Sequence, residues 1–314
     1  MCKEVYNIIR RNFDYFRKTI FKEKFLLEEN ISAKGLEAHY YKKRILRILS
    51  AVLALASAVI FSFALIKDFE PQSQLFKHGS FLFTAAFAFT FASCAITFAL
   101  CFILIPKATA FEPIFPKENE HKAYYSSDEI ETRIVRILTA LGLLALSAVR
   151  LHLLFSGKVT VLSNLPLTML SVFLAFPFAL YFVPEITDRL FSSPKAHLVC
   201  GFFGVAWCIC NVIEKYFDHT YVLSSPYRLT EQLLILLLML FTVYEIKMHT
   251  EERSPRLHLA FLCSTFIFCF GFTVARCAML VCEKTVSTEN TAIIVFEFAF
   301  TLYLAIRLYH YNED

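Results

Sequence analysis

The stretch from Gly79 to Ile105, GSFLFTAAFAFTFASCAITFALCFILI, contains no charged residue. A helix needs about 20 consecutive apolar residues to cross the hydrocarbon core of a bilayer, and this stretch is longer than that. A second uncharged stretch, VTVLSNLPLTMLSVFLAFPFALYFV, runs from Val159 to Val183. Together they predict a membrane protein with several spanning helices.

The composition of the whole chain supports this prediction. Hydrophobic residues make up 57% and charged residues 18%, whereas soluble domains contain about 45–50% and about 25%. The predicted spans are Ile45–Ile66, Gly79–Ile105, Ile134–Phe155, Val161–Val183, Ala196–Ile213, Leu229–Ile246, Leu257–Val281 and Thr291–Tyr309. The predicted fold class is an all-α, polytopic transmembrane helical bundle of eight spans, arranged as four hairpins (residues 45–105, 134–183, 196–246 and 257–309).

The first 44 residues form a separate predicted segment ahead of the transmembrane domain, which covers residues 45–314. Apolar side chains recur there at three- or four-residue intervals: Val5, Ile9, Phe13, Phe16 and Ile20. Arginines and lysines surround them, and this pattern is typical of a basic amphipathic helix. We expect it to bind anionic lipids of the inner leaflet. Docking on the protein's own loops is the alternative.

The distribution of lysine and arginine predicts the orientation. The N-terminal segment and the loop Pro106–Glu131 are rich in both, whereas each loop on the opposite side contains only two. Because cytoplasmic segments retain basic residues, both termini and this loop are expected in the cytoplasm. We expect no cleavable signal peptide, because polar and basic residues precede the first apolar run. The net charge of +4 has the same origin and does not indicate nucleic-acid binding.

Two pairs of similar segments indicate an internal repeat. Arg44–Ala51 (RILRILSA) matches Arg133–Ala140 (RIVRILTA), and Ser193–Leu198 (SPKAHL) matches Ser254–Leu259 (SPRLHL). When the second pair of segments is aligned and the alignment is continued, Lys215 also corresponds to Arg276. One interpretation is a helical hairpin duplicated in parallel orientation. The other is convergence on common helix-start residues, such as serine followed by proline.

Ionisable residues inside the predicted spans are the candidates for a functional site, because such residues usually face protein or water. Glu297 is the most deeply placed acid and is expected to be paired or protonated. Arg276 lies at a similar depth on the preceding antiparallel span, which suggests a charge pair. The full candidate set, which would line an outward-opening polar cavity, is Glu297, Arg276, Arg150, His152, Asn211, Glu214 and Glu231. Structural pairing or snorkelling to the interface is the alternative.

Motifs that would indicate an enzyme are missing from the sequence. It has no Gly-x-Ser-x-Gly, no metalloprotease histidine spacing and no Gly-rich phosphate loop. Nine of the ten cysteines lie in or beside apolar spans, where cysteine acts as a small hydrophobe. We therefore predict no catalytic residue, no metal and no cofactor. Pro166 and Pro177 are expected to bend the fourth span, and Gly201 and Gly204 are expected to form a packing contact.

Three classes of function remain open. The leading prediction is a partner-dependent sensory, scaffold or assembly protein in the cell membrane, with a protein partner on the cytoplasmic side. The alternative is a small-solute transporter or channel, which the repeats and intramembrane charges favour. Only 7 glycines occur in 314 residues, and this argues against the close backbone packing and broken helices of many transporters. An intramembrane enzyme is the third class.

Overall fold

The structure is a computed structural model that describes residues 41–70, 75–76, 81–105, 130–156, 165–191, 196–217, 226–248, 255–282 and 288–311. The chain divides into two compact units, Met1–Ile45 and Leu46–Asp314. Residues 41–45 are the described part of the first unit, and they are helical. The predicted amphipathic helix in residues 1–28 and the loop residues 106–129 lie outside the described residues.

Helices make up almost all of the described chain. Their bounds are α1 Tyr41–Asp68, α2 Phe81–Leu104, α3 Ile130–Phe155, α4 Leu165–Tyr181, α5 Pro184–Phe191, α6 Ala196–Phe217, α7 Pro226–Met248, α8 Pro255–Val281 and α9 Thr288–His310. A two-residue antiparallel hairpin follows α1, with β1 Phe69–Glu70 paired to β2 Leu75–Phe76.

Seven of the described helices are long and apolar enough to cross a membrane, and α4 with α5 makes an eighth span if the bent pair is counted as one. The predicted all-α polytopic bundle is therefore confirmed, and the chain is a multi-pass integral membrane protein. The predicted span Gly79–Ile105 corresponds to α2, and the predicted span Ile134–Phe155 corresponds to α3.

The fourth span is broken between α4 and α5, whose axes differ by 95°. The break precedes Pro184, while Pro177 lies inside α4. Pro184 has no N–H to donate to the carbonyl of Leu180, four residues earlier. That carbonyl instead accepts hydrogen bonds from the N–H of Val183, at 3.1 Å, and from the hydroxyl of Thr187, at 2.6 Å. The bend thus has a defined structure in which the carbonyl at the end of α4 keeps two donors.

Six helices form a closed ring in which each packs against the next, in the order α3, α4, α6, α7, α8, α9 and back to α3. We call this the six-helix ring. Glycines on α6 allow its neighbours to approach closely. A Cβ atom on Gly204 would overlap the ring of Phe178, and one on Gly201 would lie 2.7 Å from Ile246. The predicted role of these two glycines in packing is therefore confirmed.

Helices α1 and α2 pack on the outside of this ring, against α8. Phe61 of α1 contacts Phe268 of α8 with ring centroids 6.5 Å apart. A Cβ atom on Gly271 of α8 would lie 2.9 Å from Cβ of Ser57. In the most apolar 18-residue stretch of α8, 78% of the residues are buried, compared with 22% in α2. Helix α8 is therefore central, and α2 exposes most of its surface.

Aromatic side chains fill the middle of the six-helix ring. Trp207 of α6 lies 5.8 Å from Phe178 and 5.7 Å from Phe296, measured between ring centroids. Phe300 of α9 lies 6.1 Å from Phe241 of α7. These five side chains are buried, and we call them the aromatic layer. Their centroid distances lie in the favourable range for aromatic pairs.

Candidate functional site

Four charged side chains from four helices meet at one end of the ring. Nη1 of Arg276 (α8) lies 2.9 Å from Oε1 of Glu297 (α9) and 3.4 Å from Oε1 of Glu231 (α7). Nζ of Lys215 (α6) lies 2.9 Å from Oε2 of the same Glu231. We call these four residues the Arg276 group. When all four groups are ionised, the two cations and the two carboxylates balance one another.

Burial makes the contacts of Arg276 energetically important. The residue is 1% exposed and is the largest of the fully buried side chains. Its guanidinium carbon lies 5.4 Å from the centroid of the Phe272 ring and 5.8 Å from that of Tyr227. Aromatic faces attract a cation, so rings and carboxylates together replace the water that Arg276 lacks.

A second polar group lies at the same end, around Arg150 of α3. Nη1 of Arg150 donates to Oδ1 of Asn211 at 2.7 Å and to Oγ of Ser171 at 3.1 Å. Nε donates to Oε1 of Glu289 at 3.1 Å, and Nη1 lies 3.4 Å from Oε2 of Glu214. These five residues form the Arg150 group, which contains two carboxylates and one cation.

The two groups are joined through α6, because Glu214 and Lys215 are consecutive residues. All six ring helices contribute a side chain: α4 supplies Ser171, and each of the others supplies at least one charged residue. We call this end of the bundle the Arg276 end. It contains the C-terminal ends of α3, α6 and α8 and the N-terminal ends of α4, α7 and α9.

The structure brings six of the seven candidate residues into these two groups. Arg276, Glu297 and Glu231 lie in one, and Arg150, Asn211 and Glu214 lie in the other. His152 is different: its side chain is exposed on α3. Arg150 and Arg276 are 5% and 1% exposed, so their side chains are paired inside the bundle and do not snorkel.

Sequence reasoning missed Lys215, Glu289 and Ser171 as members of the site. Lys215 and Glu289 lie close to helix ends, where charged residues are ordinary. Their position along the helix axis does not indicate that their side chains face the interior of the ring. One signal was available, because Lys215 corresponds to Arg276 in the second repeat. The structure places both cations on the two oxygens of Glu231.

A third polar group lies at the opposite end of the ring, which we call the Glu245 end. Glu245 of α7 is fully buried. Its Oε1 accepts a hydrogen bond from the hydroxyl of Tyr303 at 2.7 Å and another from Nε of Arg307 at 3.1 Å. Glu245 lies within the predicted span Leu229–Ile246 but was not among the predicted site residues.

Histidine and arginine side chains are also buried at the Glu245 end. The His258 ring lies between those of Phe241 and Tyr311, with centroids 5.9 and 5.7 Å away. Nη1 of Arg136 lies 3.9 Å from Oε1 of Glu185, which belongs to α5. His197, the repeat counterpart of His258, is buried as well. The matched histidines of α6 and α8 are thus both buried.

The chemistry of these groups is that of charge pairing. Among the described residues, no set of three or more histidine, cysteine or acidic side chains is placed to hold a metal ion. The nine cysteines in the described part of the chain are free thiols. No protein family, curated protein or solved structure was found to match this chain.

Proposed function

We propose that this protein is a partner-dependent integral membrane protein with a sensory, scaffold or assembly role, and that it is not an enzyme. The observation that carries the proposal is the packing of paired charges and aromatic side chains inside the six-helix ring. The charges of the Arg276 group balance one another within 3.4 Å, and the aromatic layer occupies the centre. The surfaces around the ring are then the places where the protein acts.

Buried ion pairs are costly, and in some proteins they are retained because they specify one arrangement of helices. In this protein they join all six helices of the ring at one end. A ring fixed in this way presents a constant outer surface to another protein. The proposal places that partner on the cytoplasmic side, where the basic N-terminal segment and the loop Pro106–Glu131 are expected.

The test of this proposal is isolation of the chain from its native membrane and from an unrelated host membrane. We expect a stoichiometric complex with one protein from the native membrane and the chain alone from the unrelated host. Adding that protein to the isolated chain should restore the complex. A chain that is isolated alone from both membranes, and that moves ions or solutes when placed in vesicles, would contradict the proposal.

Transport is the second candidate function, and one specific observation favours it. Polar groups lie at both ends of the six-helix ring, with the aromatic layer between them. A solute pathway with a closed centre has the same layout, since its polar ends admit water while its middle excludes it. If the protein is a transporter, water would reach the Arg150 group in at least one conformation of the protein.

Thiol labelling separates the two candidates. In a background without native cysteines, Ser171→Cys places a thiol beside Arg150, and Ser156→Cys places one at the exposed end of α3 as a positive control. For a filled ring, we expect a charged, water-soluble thiol reagent to modify only the control. Rapid modification at position 171 in membranes would support transport.

A further inference from the structure

Helix α5 lies across the direction of the spanning helices. It makes an angle of 95° with α4, which belongs to the six-helix ring. Since α4 runs through the bilayer, a helix at a right angle to it runs along the membrane plane. Helix α5 packs on α6 as well as on α4, so it lies against the bundle at the Glu245 end.

The surface of α5 has an apolar side and a polar side. Ile186 and Leu190, four residues apart and therefore on one face, are 58% and 65% exposed, and Phe191 at the end is 55% exposed. Glu185 and Arg189 form a neighbouring exposed strip. Thr187 faces inwards and is fully buried. This is the layout of an amphipathic helix at a membrane surface.

Contacts with the bundle hold α5 in this position. The hydroxyl of Thr187 donates to the carbonyl of Leu180 at 2.6 Å. Oε1 of Glu185 lies 3.9 Å from Nη1 of Arg136, which is buried in α3. The orientation of α5, and with it the direction of its apolar side, is therefore set by the ring.

At the Glu245 end, exposed cations outnumber exposed acids among the described side chains of the unit Leu46–Asp314. The cations of this set that are at least partly exposed are Arg47, Arg133, Arg189, Lys247 and Arg256. The exposed acids of the same set are Glu131 and Glu185. A basic surface at the level of α5 is complementary to anionic lipid headgroups, which attract basic residues near the membrane.

We propose that α5 is an interfacial lipid-binding helix. Ile186 and Leu190 insert among the acyl chains just below the headgroups, and Arg189 binds the phosphates of anionic lipids. A lipid surface fits better than a protein groove, because apolar residues, a flanking cation and an in-plane axis occur together on one short helix.

Tryptophan fluorescence can test this proposal, because Trp207 is the single tryptophan of the chain. Leu190→Trp in a Trp207→Phe background gives one reporter on α5. The protein is placed in phosphatidylcholine vesicles containing lipids brominated either near the carbonyl or near the terminal methyl group. We expect blue-shifted emission that bromines near the carbonyl quench more strongly. Leu302→Trp, in the middle of α9, should show the opposite preference.

Three results would overturn the proposal. Emission typical of water would show that α5 does not enter the bilayer, and blue-shifted emission that neither lipid quenches would show that protein covers it. The third result concerns charge. Adding phosphatidylglycerol should increase the quenching in the parent protein and increase it much less in Arg189→Gln. An equal increase in both proteins would show that Arg189 does not bind anionic lipids. If Leu190→Trp does not fold, Ile186→Trp, on the same exposed face, replaces it.

Discussion

Arg276 shows how a charged residue is accommodated inside a membrane bundle. A guanidinium with 1% exposure has lost its hydration, and the cost is offset only if counter-charges lie close with good geometry. Glu297 and Glu231 supply two carboxylates within 3.4 Å, and Lys215 balances the second. The group therefore depends on all of its members, and removal of one leaves an uncompensated charge.

We expect Arg276→Gln to destabilise the protein by about 3–5 kcal/mol, the usual effect of breaking a buried pair. Glu297→Gln should cost less, because Glu231 still lies 3.4 Å from Arg276. The double variant should recover part of the loss, with a coupling of about 0.5–3 kcal/mol. The free energy of unfolding of each purified protein in detergent measures the two single losses and the loss in the double variant.

Lys67→Gln is the control for this cycle, since Lys67 is an exposed cation at the end of α1. Its stability should match that of the parent. If both single changes at the Arg276 group also leave stability unchanged, and the coupling is zero, the charges do not hold the ring together.

Tyr303 allows a similar test at the Glu245 end. Tyr303→Phe removes the hydroxyl that donates to the fully buried Glu245 at 2.7 Å. Hydrogen bonds to charged groups contribute about 1.5–3 kcal/mol, so we expect a loss of that size in unfolding free energy. Tyr244→Phe, which keeps the stacking on Phe261, should have little effect. Equal losses in both variants would contradict a specific role for the Tyr303 hydroxyl.

The sequence indicated which charged residues lie deep, but it could not indicate which way each one faces. Glu297 and Arg276 were recognisable because they lie well inside spans that are neighbours in the chain. Glu289 lies in the first turn of α9 and Lys215 in the last turn of α6. Hydropathy gives the depth of such residues, but only the packing of the ring decides whether they point inwards.

At the scale of helices, prediction succeeded where apolar length decides the outcome. The predicted span Thr291–Tyr309 is α9 with short extensions at both ends. The fourth span was less predictable. Average hydropathy is the same whether a helix continues or turns. Pro166 and Pro177 lie inside the predicted span Val161–Val183, so they were better candidates for a bend than Pro184, which follows it. The deciding contact, from Thr187 to Leu180, is local but not visible as a hydropathy change.

That contact yields a prediction for the break. Thr187→Val removes a side-chain hydrogen bond that joins α5 to the carbonyl of Leu180 in α4, across the break, so we expect a loss of about 1 kcal/mol in unfolding free energy. Thr242→Val is the matched control. Its hydroxyl donates to the carbonyl of Leu238 within one unbroken helix, so this hydrogen bond does not join two helices. If both variants lose the same stability, Thr187 has no special role.

Close packing of α4 against α6 yields another prediction. Gly204→Ala places a methyl group on the ring of Phe178, and overpacking of this kind costs about 1–3 kcal/mol. The same change should cost less in a Phe178→Leu background, where the ring is absent. Thermal unfolding of the four proteins measures the difference. A cost that is independent of residue 178 would show that the added methyl group is not destabilising through its contact with the Phe178 ring.

At the scale of the whole molecule, the orientation in the membrane is a prediction from charge. The Glu245 end should face the cytoplasm, together with both termini and the loop Pro106–Glu131. In a background without native cysteines, Glu120→Cys should resist an impermeant thiol reagent in intact cells and react after permeabilisation. Ser156→Cys, at the Arg276 end, should react in intact cells. The reverse pattern would invert the topology.

The internal repeat remains a hypothesis, but its two parts differ in the structure. The segments around His197 and His258 begin α6 and α8, which flank α7 in the ring and place Lys215 and Arg276 on one carboxylate. The segments that begin α1 and α3 have different positions, because α3 belongs to the ring and α1 lies outside it. Any duplication of that hairpin was followed by divergence in packing.

The central position of α8 has a consequence for synthesis of the protein. Helices α1 and α2 leave the ribosome first, yet the helix they pack against is made much later: Cys94 of α2 contacts Ser264, 170 residues further on. At about 5–20 residues per second, roughly 8–34 s separate the two. During that interval the first hairpin waits in the bilayer without its partner. An insertase or chaperone that shields small and polar residues such as Ser57 until α8 arrives would therefore set the yield of folded protein.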